Sequence, residues 1–183
     1  MSAKSRGPKR ATTRFDAKHH RLNYKFDYNR SETAALWKSM RANDSIKLSD
    51  LHRIALWKLG RVLQVPEALL QRLRQIATAK SLRIDSQESK EVLEALVRCK
   101  GVGFPMASSF LKFLRPDVFP IIDVRAYRAL FGQRLSSKSY SLDLYLGYAK
   151  EIRTIAARTG LKLHEVDEQL YLFDRKHNKG IAI

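Results

Sequence analysis

The residues of this sequence best suited to chemistry form a short glycine-rich turn. An apolar segment ending at Cys99 runs into Lys100 and Gly101-Val102-Gly103, and a second apolar segment begins at Pro105. Glycine lacks the Cβ atom that hinders positive φ angles and close approach of the backbone to another molecule. The first amides of a helix have no partner within it and lie at the positive end of its dipole. The pattern therefore predicts a helical hairpin over residues 88–114 whose turn binds a phosphate group.

A carboxylate follows this hairpin after one short loop. Asp123 comes directly after the extended apolar segment 119–122 and precedes a helical pattern that contains Arg125 and Arg128. Hydrolysis of an N-glycosidic bond passes through a sugar with oxocarbenium character, which a nearby carboxylate stabilises. Aspartate is also a favoured helix N-cap. The residues alone leave both roles open for Asp123.

Together these residues resemble the helix-hairpin-helix superfamily of base-excision DNA glycosylases. The pattern comprises Cys99 two residues before the first glycine, the turn itself, Ala107, Leu111 and the Asp123–Arg128 spacing, and it covers about a fifth of the chain closely. The resemblance implies that Asp123 is the catalytic carboxylate and that the turn binds DNA phosphates. The DNA-binding residues that it implies are Lys100, Gly101, Val102, Gly103, Phe104, Met106, Arg125 and Arg128.

The sequence departs from the pattern of the superfamily in two respects, and both limit the activity that the resemblance implies. Bifunctional members carry a lysine two residues after the second glycine, which forms a Schiff base with the sugar, and here that residue is Pro105. With Cys99 as its single cysteine, the chain cannot hold the iron–sulfur cluster that some members carry. The resemblance thus implies a monofunctional enzyme without lyase activity, unless another lysine substitutes.

The five histidines show no metal-ligand spacing, so no metal site is predicted. Hairpins of this superfamily often hold a monovalent cation on their carbonyls, so the resemblance makes such an ion the one candidate cofactor.

The charge of the chain agrees with a nucleic-acid partner independently of the resemblance. Lysine and arginine number 35 against 18 acidic residues, which gives a formal net charge of +17. Residues 1–30 contribute +7 of this, so residues 31–183 remain strongly basic in their own right. Such a chain is attracted to polyanions. We expect double-stranded DNA, contacted mainly through its phosphates, as the partner. The sequence leaves the oligomeric state open, and a monomer is favoured.

Hydrophobic periodicity predicts an all-α protein of about eight helices in one domain over residues 31–183, preceded by a basic flexible arm over residues 1–30. Ser31, Ser49 and Asp85 are predicted as N-caps, and Pro105 as the first residue of a helix. Trp37 and Trp57 are expected to pack in the core, whereas Phe104 is expected either in the core or against DNA. The one strand candidate, residues 118–122, contains a proline and has no evident partner.

No apolar run long enough for a membrane span occurs, and no apolar signal-peptide core follows the N-terminus. The expected location is therefore the cytoplasm or the nucleoid, or the nucleus in a eukaryote.

Three functions remain open at this point: a monofunctional DNA glycosylase, a non-enzymatic module that grips the duplex backbone, and a basic RNA-binding or nucleoid protein. Whether the chain is an enzyme is thus undecided. An open pocket beside Asp123 would favour the first function, and a filled one the second.

Overall fold

The computed structural model describes residues 16, 18–19, 30–42, 46–60 and 62–181. Within this part of the chain all regular structure is helical, which confirms the predicted class and the number of helices. The eight helices are α1 (Arg30–Ala42), α2 (Leu48–Lys58), α3 (Glu67–Thr78), α4 (Gln87–Val97), α5 (Phe104–Leu114), α6 (Val124–Phe131), α7 (Leu142–Thr159) and α8 (Leu163–His177). The predicted arm lies almost entirely outside the described residues.

Contacts between residues divide the chain into two compact units, Met1–Gly60 and Arg61–Ile183. The first contains α1 and α2, and the second contains α3 to α8. The predicted domain boundary after residue 30 falls inside the first unit and stays a prediction.

In the first unit, polar bonds join α1 to α2. Arg53 donates two hydrogen bonds to Glu32, at 3.2 and 2.9 Å, and the indole nitrogen of Trp57 donates to Thr33 at 2.8 Å. Leu36 is buried, but the Trp37 side chain is 66% exposed. The expectation that Trp37 packs in the core was therefore wrong.

The second unit contains a continuous apolar core. Helices α6 and α8 pack closely, and α4 packs on both α3 and α5. Buried side chains from every helix of the unit and from the loop before α6 contribute: Ile76, Val92, Leu96, Ala107, Leu111, Phe119, Ile122, Ala126, Tyr145, Ile152 and Val166.

Several helix starts differ from the predicted ones, for local reasons. Ser31 lies inside α1, which begins at Arg30. Ser49 lies inside α2, whose N-cap is Lys47, because the Lys47 amide donates to the Asp50 carboxylate at 3.0 Å. The N-cap of α4 is Ser86, whose hydroxyl accepts from the Ser89 amide at 3.3 Å.

Asp85, predicted as that cap, is instead held by Arg83 at 2.9 and 2.8 Å. Pro105 is the second residue of α5 and not the first, since Phe104 begins the helix and Gly103 caps it.

Candidate nucleic-acid interface and active site

The predicted hairpin turn comprises residues 98–103, between the packed helices α4 and α5. Gly101 has a φ angle of 84°, in the left-handed region that favours glycine. Val102 is buried, and its amide donates to the Cys99 carbonyl at 3.1 Å, so the turn is anchored by an apolar side chain and closed by a hydrogen bond. Lys100 is exposed, with no acidic partner among the described residues.

The start of α5 leaves amides unpaired. The Ala107 amide donates to the Gly103 carbonyl at 2.9 Å, which begins the helical hydrogen bonding. The preceding amides of Phe104 and Met106 have no acceptor within the described part of the chain, and Pro105 has no amide hydrogen. Unpaired amides at a helix start are donors for an anion.

The Phe104 side chain packs inward. It is half-buried, and its ring is stacked on Tyr140 at a centroid distance of 6.2 Å and an angle of 9° between planes. Tyr145, which is fully buried, lies 6.4 Å from the same ring. Of the two places expected for Phe104, this geometry favours the core.

The segment before Asp123 is extended but is not a strand, and side chains from three helices hold its backbone. Tyrosines of α7 donate to two of its carbonyls, while a serine of α5 and an aspartate of α8 accept from two of its amides. The bonds are Arg153 to Val118 O (3.0 Å), Tyr145 to Pro120 O (2.9 Å), Tyr148 to Ile121 O (2.9 Å), Ile121 N to Asp167 (2.6 Å) and Ile122 N to Ser108 (3.2 Å).

Asp123 therefore lies at the end of a fixed segment. It caps α6, and its Oδ1 accepts from the Arg125 amide at 2.7 Å. No protein donor contacts its second oxygen within the described residues. The side chain lines an open cavity of about 390 Å³. The other lining residues are Lys112, Ile121, Asp167, Glu168, Tyr171 and Leu172.

The lysine of this cavity is fully bonded. Lys112 Nζ lies 2.8 Å from the His164 carbonyl and 2.8 Å from the carboxylates of Asp167 and Glu168. These three acceptors match the three hydrogens of an ammonium group, so Lys112 is not presented as a nucleophile in place of the lysine that Pro105 lacks.

Burial raises the pKa of one residue that lines the cavity and of one tyrosine on which Asp123 acts. Burial raises the pKa of Asp167, and the bonds from Lys112 and the Ile121 amide act against this effect. Burial also raises the pKa of Tyr140, and the negative charge of Asp123 adds to the increase. The Asp123 charge thus acts on the aromatic cluster that contains Phe104.

The two arginines predicted to contact DNA face Asp174. Arg128 is buried, and its Nε and Nη2 each lie 2.8 Å from the Asp174 carboxylate. Arg125 lies 3.3 Å from the same carboxylate and 5.9 Å from the centre of the Tyr171 ring. This geometry favours a structural role for Arg128, whereas Arg125, which is 26% exposed, also reaches the surface.

Sequence reasoning missed the residues that share the cavity with Asp123. Acidic residues early in the last helix are ordinarily explained by the helix dipole, and this explanation fits Glu165, which accepts from the Lys162 amide at 2.8 Å. Asp167, two residues further on, is instead buried and bonded to Lys112. A lysine in the apolar pattern of α5, facing an acidic pair in α8, was the available signal, but their pairing spans 55 residues.

No cluster of three metal-ligating side chains occurs in the described residues. The monovalent cation suggested for the hairpin stays a prediction. None of the helices described is both long and apolar enough to cross a membrane.

Comparison with protein-family models, with curated proteins and with solved structures found no match for this chain. The function is therefore argued from the geometry of the site.

Proposed function

We propose that the protein binds double-stranded DNA through the turn between α4 and α5 and hydrolyses the N-glycosidic bond of a damaged or mispaired base. The observation that carries this proposal is the open cavity of about 390 Å³ lined by Asp123. An enzyme that acts on a base must extrude it from the duplex into such a pocket. The carboxylate would then stabilise the oxocarbenium character of the sugar as the base departs.

The turn supports the DNA-binding half of the proposal. It carries the exposed Lys100, the left-handed Gly101 and the unpaired amides at the start of α5. These groups suit phosphate oxygens, which carry no sequence information. Binding of undamaged duplex would therefore show weak sequence preference. We leave Arg128 out of the proposed contacts because its guanidinium is bonded to Asp174.

The second candidate is a DNA-binding module without chemistry. It is favoured by the bond between Asp123 and the Arg125 amide, which gives the carboxylate a sufficient structural role as an N-cap. In that case the amides and Lys100 would still hold the duplex.

Base release separates the two candidates. Duplexes that carry a panel of damaged or mispaired bases are incubated with the wild type or with Asp123→Asn, and hot alkali then cleaves at abasic sites. We expect alkali-dependent cleavage by the wild type and a loss of about 10²–10³-fold in the variant, since one group that stabilises developing charge is removed. Asparagine keeps an oxygen for the cap, so DNA binding should be retained. Absence of release from every duplex, with salt-sensitive binding intact, would favour the non-enzymatic module.

A further inference from the structure

Gly147 is an unfavourable residue for the helix that contains it, and no packing contact accounts for it. It lies in the interior of α7, an 18-residue helix, where only proline is less favourable than glycine. A Cβ atom added at residue 147 would meet no heavy atom within 4 Å. The described part of the chain therefore gives no packing reason for glycine, and an exposed glycine of this kind permits close approach of another molecule.

Gly147 lines a groove in the second unit. The groove has a volume of about 720 Å³, within the range of small-molecule sites. Leu82, Ile84, Val118 and Leu146 give it apolar surface around Gly147. It shares no lining residue with the cavity of Asp123.

Two ion pairs hold carboxylates on the walls of the groove. Arg83 binds Asp85 at 2.9 and 2.8 Å, and Arg115 binds Asp117 at 2.9 and 2.7 Å. Each carboxylate retains lone pairs beyond those that its arginine uses. Asp85 and Asp117 can therefore accept further hydrogen bonds, and both line the groove.

Two cations of α7 lie beyond the glycine. Lys150, about one turn after Gly147, is exposed and has no acidic partner among the described residues. Arg153 donates one hydrogen bond, from Nη2 to the Val118 carbonyl, and also lines the groove. The pKa of Asp117 is lowered chiefly by the bond from Arg115, and the charge of Arg153 contributes to that lowering. The groove thus carries positive charge beyond what its ion pairs neutralise.

From this arrangement we propose that the groove binds a nucleotide, with its base across Gly147 and its phosphate at Lys150 and Arg153. A flat ring can lie close to the backbone at Gly147, which has no Cβ atom, and the carboxylates of Asp85 and Asp117 suit the amino groups on the edge of a base. The negative charge of one phosphate group matches the positive charge of Lys150 and Arg153. The nucleotide is either free or part of a strand, and the inference does not depend on the function proposed for Asp123.

The test is a titration of the ¹⁵N-labelled full chain, followed by amide chemical shifts. The probes are the four 5′-deoxynucleoside monophosphates and, separately, a single-stranded tetranucleotide. We expect shifts at residues 82–85 and 146–153. Saturation by a monophosphate identifies a free nucleotide as the ligand, and saturation by the tetranucleotide alone identifies a strand.

Substitutions in α7 test whether the probe binds in the groove. Gly147→Leu places a bulky side chain in the groove and is favourable for the helix, and we expect affinity for the probe to fall more than about tenfold. Lys150→Gln removes a charged partner of the phosphate and should weaken binding about tenfold. The matched controls, Ala157→Leu and Arg158→Gln, change exposed residues of the same helix outside the groove and should leave the affinity unchanged.

Two results would overturn the inference. The first is the absence of shifts in the groove with every probe. The second is equal affinity of Gly147→Leu and Ala157→Leu. Either result would leave base release at Asp123 untouched, because the two sites are separate.

Discussion

Asp174 joins two helices of the second unit through one buried carboxylate. It accepts two bonds from Arg128 at 2.8 Å, one from Asn178 at 2.7 Å and one from Arg125 at 3.3 Å. Its side chain has no exposed surface, and that of Arg128 is 8% exposed. Removing one partner of a buried pair costs more than the pair contributes, because the other charge is left without compensation.

Asp174→Asn should therefore lower the free energy of unfolding by about 3–5 kcal/mol. Chemical denaturation followed by circular dichroism measures the change. Glu151→Gln, at an exposed position of α7, is the control and should stay within about 0.5 kcal/mol of the wild type. A loss for Asp174→Asn no larger than that of the control would contradict the structural role of the pair.

The same carboxylate predicts how stability depends on pH. Arg128 holds the pKa of Asp174 down to about 2, from an ordinary value of 3.8. Because the pKa is lowered in the folded state, the stabilisation is complete above about pH 4 and is lost as the pH falls from about 4 towards 2. Denaturation curves at several pH values should show the gap between wild type and Asp174→Asn closing over this range. A constant gap would argue against the pair as its cause.

At the scale of elements, the sequence predicted the helices better than their boundaries. Hydrophobic periodicity predicted eight helices, and each helix of the second unit buries apolar side chains in the common core. Asp123, placed by the sequence at the start of a helical pattern, caps α6. The starts of α2 and α4 lie two residues before and one residue after the predicted caps. At α2 the Asp50 carboxylate accepts from the Lys47 amide, and at α4 the side chain of Asp85 is bonded to Arg83, so that Ser86 caps the helix. For the site, Asp123 and its loop were predictable, whereas its neighbours from α5 and α8 depend on long-range packing.

The turn between α4 and α5 offers a test of backbone conformation at this scale. Gly101→Ala places a Cβ atom on a residue with φ of 84°, and the free energy of unfolding should fall by about 1–2 kcal/mol. The same substitution at Gly147, in a helix interior, should raise it by about 0.5–1 kcal/mol. Thermal or chemical denaturation of both variants gives the comparison. Equal effects at the two positions would contradict the left-handed turn.

At the scale of the whole molecule, the net charge of +17 favours attraction to polyanions, and duplex DNA is the partner that we propose. With about four phosphate contacts, the logarithm of affinity should fall with the logarithm of salt with a slope of about −3.6, or roughly hundredfold between 50 and 200 mM. Fluorescence anisotropy of a labelled duplex across this range measures the slope. Affinity that does not change with salt would exclude DNA binding through phosphates.

The same assay measures how much of the affinity comes from residues 1–30 and how much from the turn between α4 and α5. Deletion of residues 1–30 should remove most of the affinity if the protein is an RNA-binding or nucleoid protein that uses its arm. If the turn between α4 and α5 contacts the phosphates, Lys100→Gln should lower the magnitude of the salt-dependence slope by about one. Lys138→Gln, at an exposed loop position, should leave that slope unchanged.

The reactivity of the Lys112 amine measures how often the second unit opens locally around this side chain. The side chain is 9% exposed, and each hydrogen of its ammonium group has an acceptor. Acylating reagents modify amines that are deprotonated and accessible, so the many surface lysines would react early and Lys112 late. The rate at which a mass spectrometer detects acylated Lys112 would then follow the separation of Lys112 from Asp167 and Glu168, two carboxylates that line the cavity of Asp123.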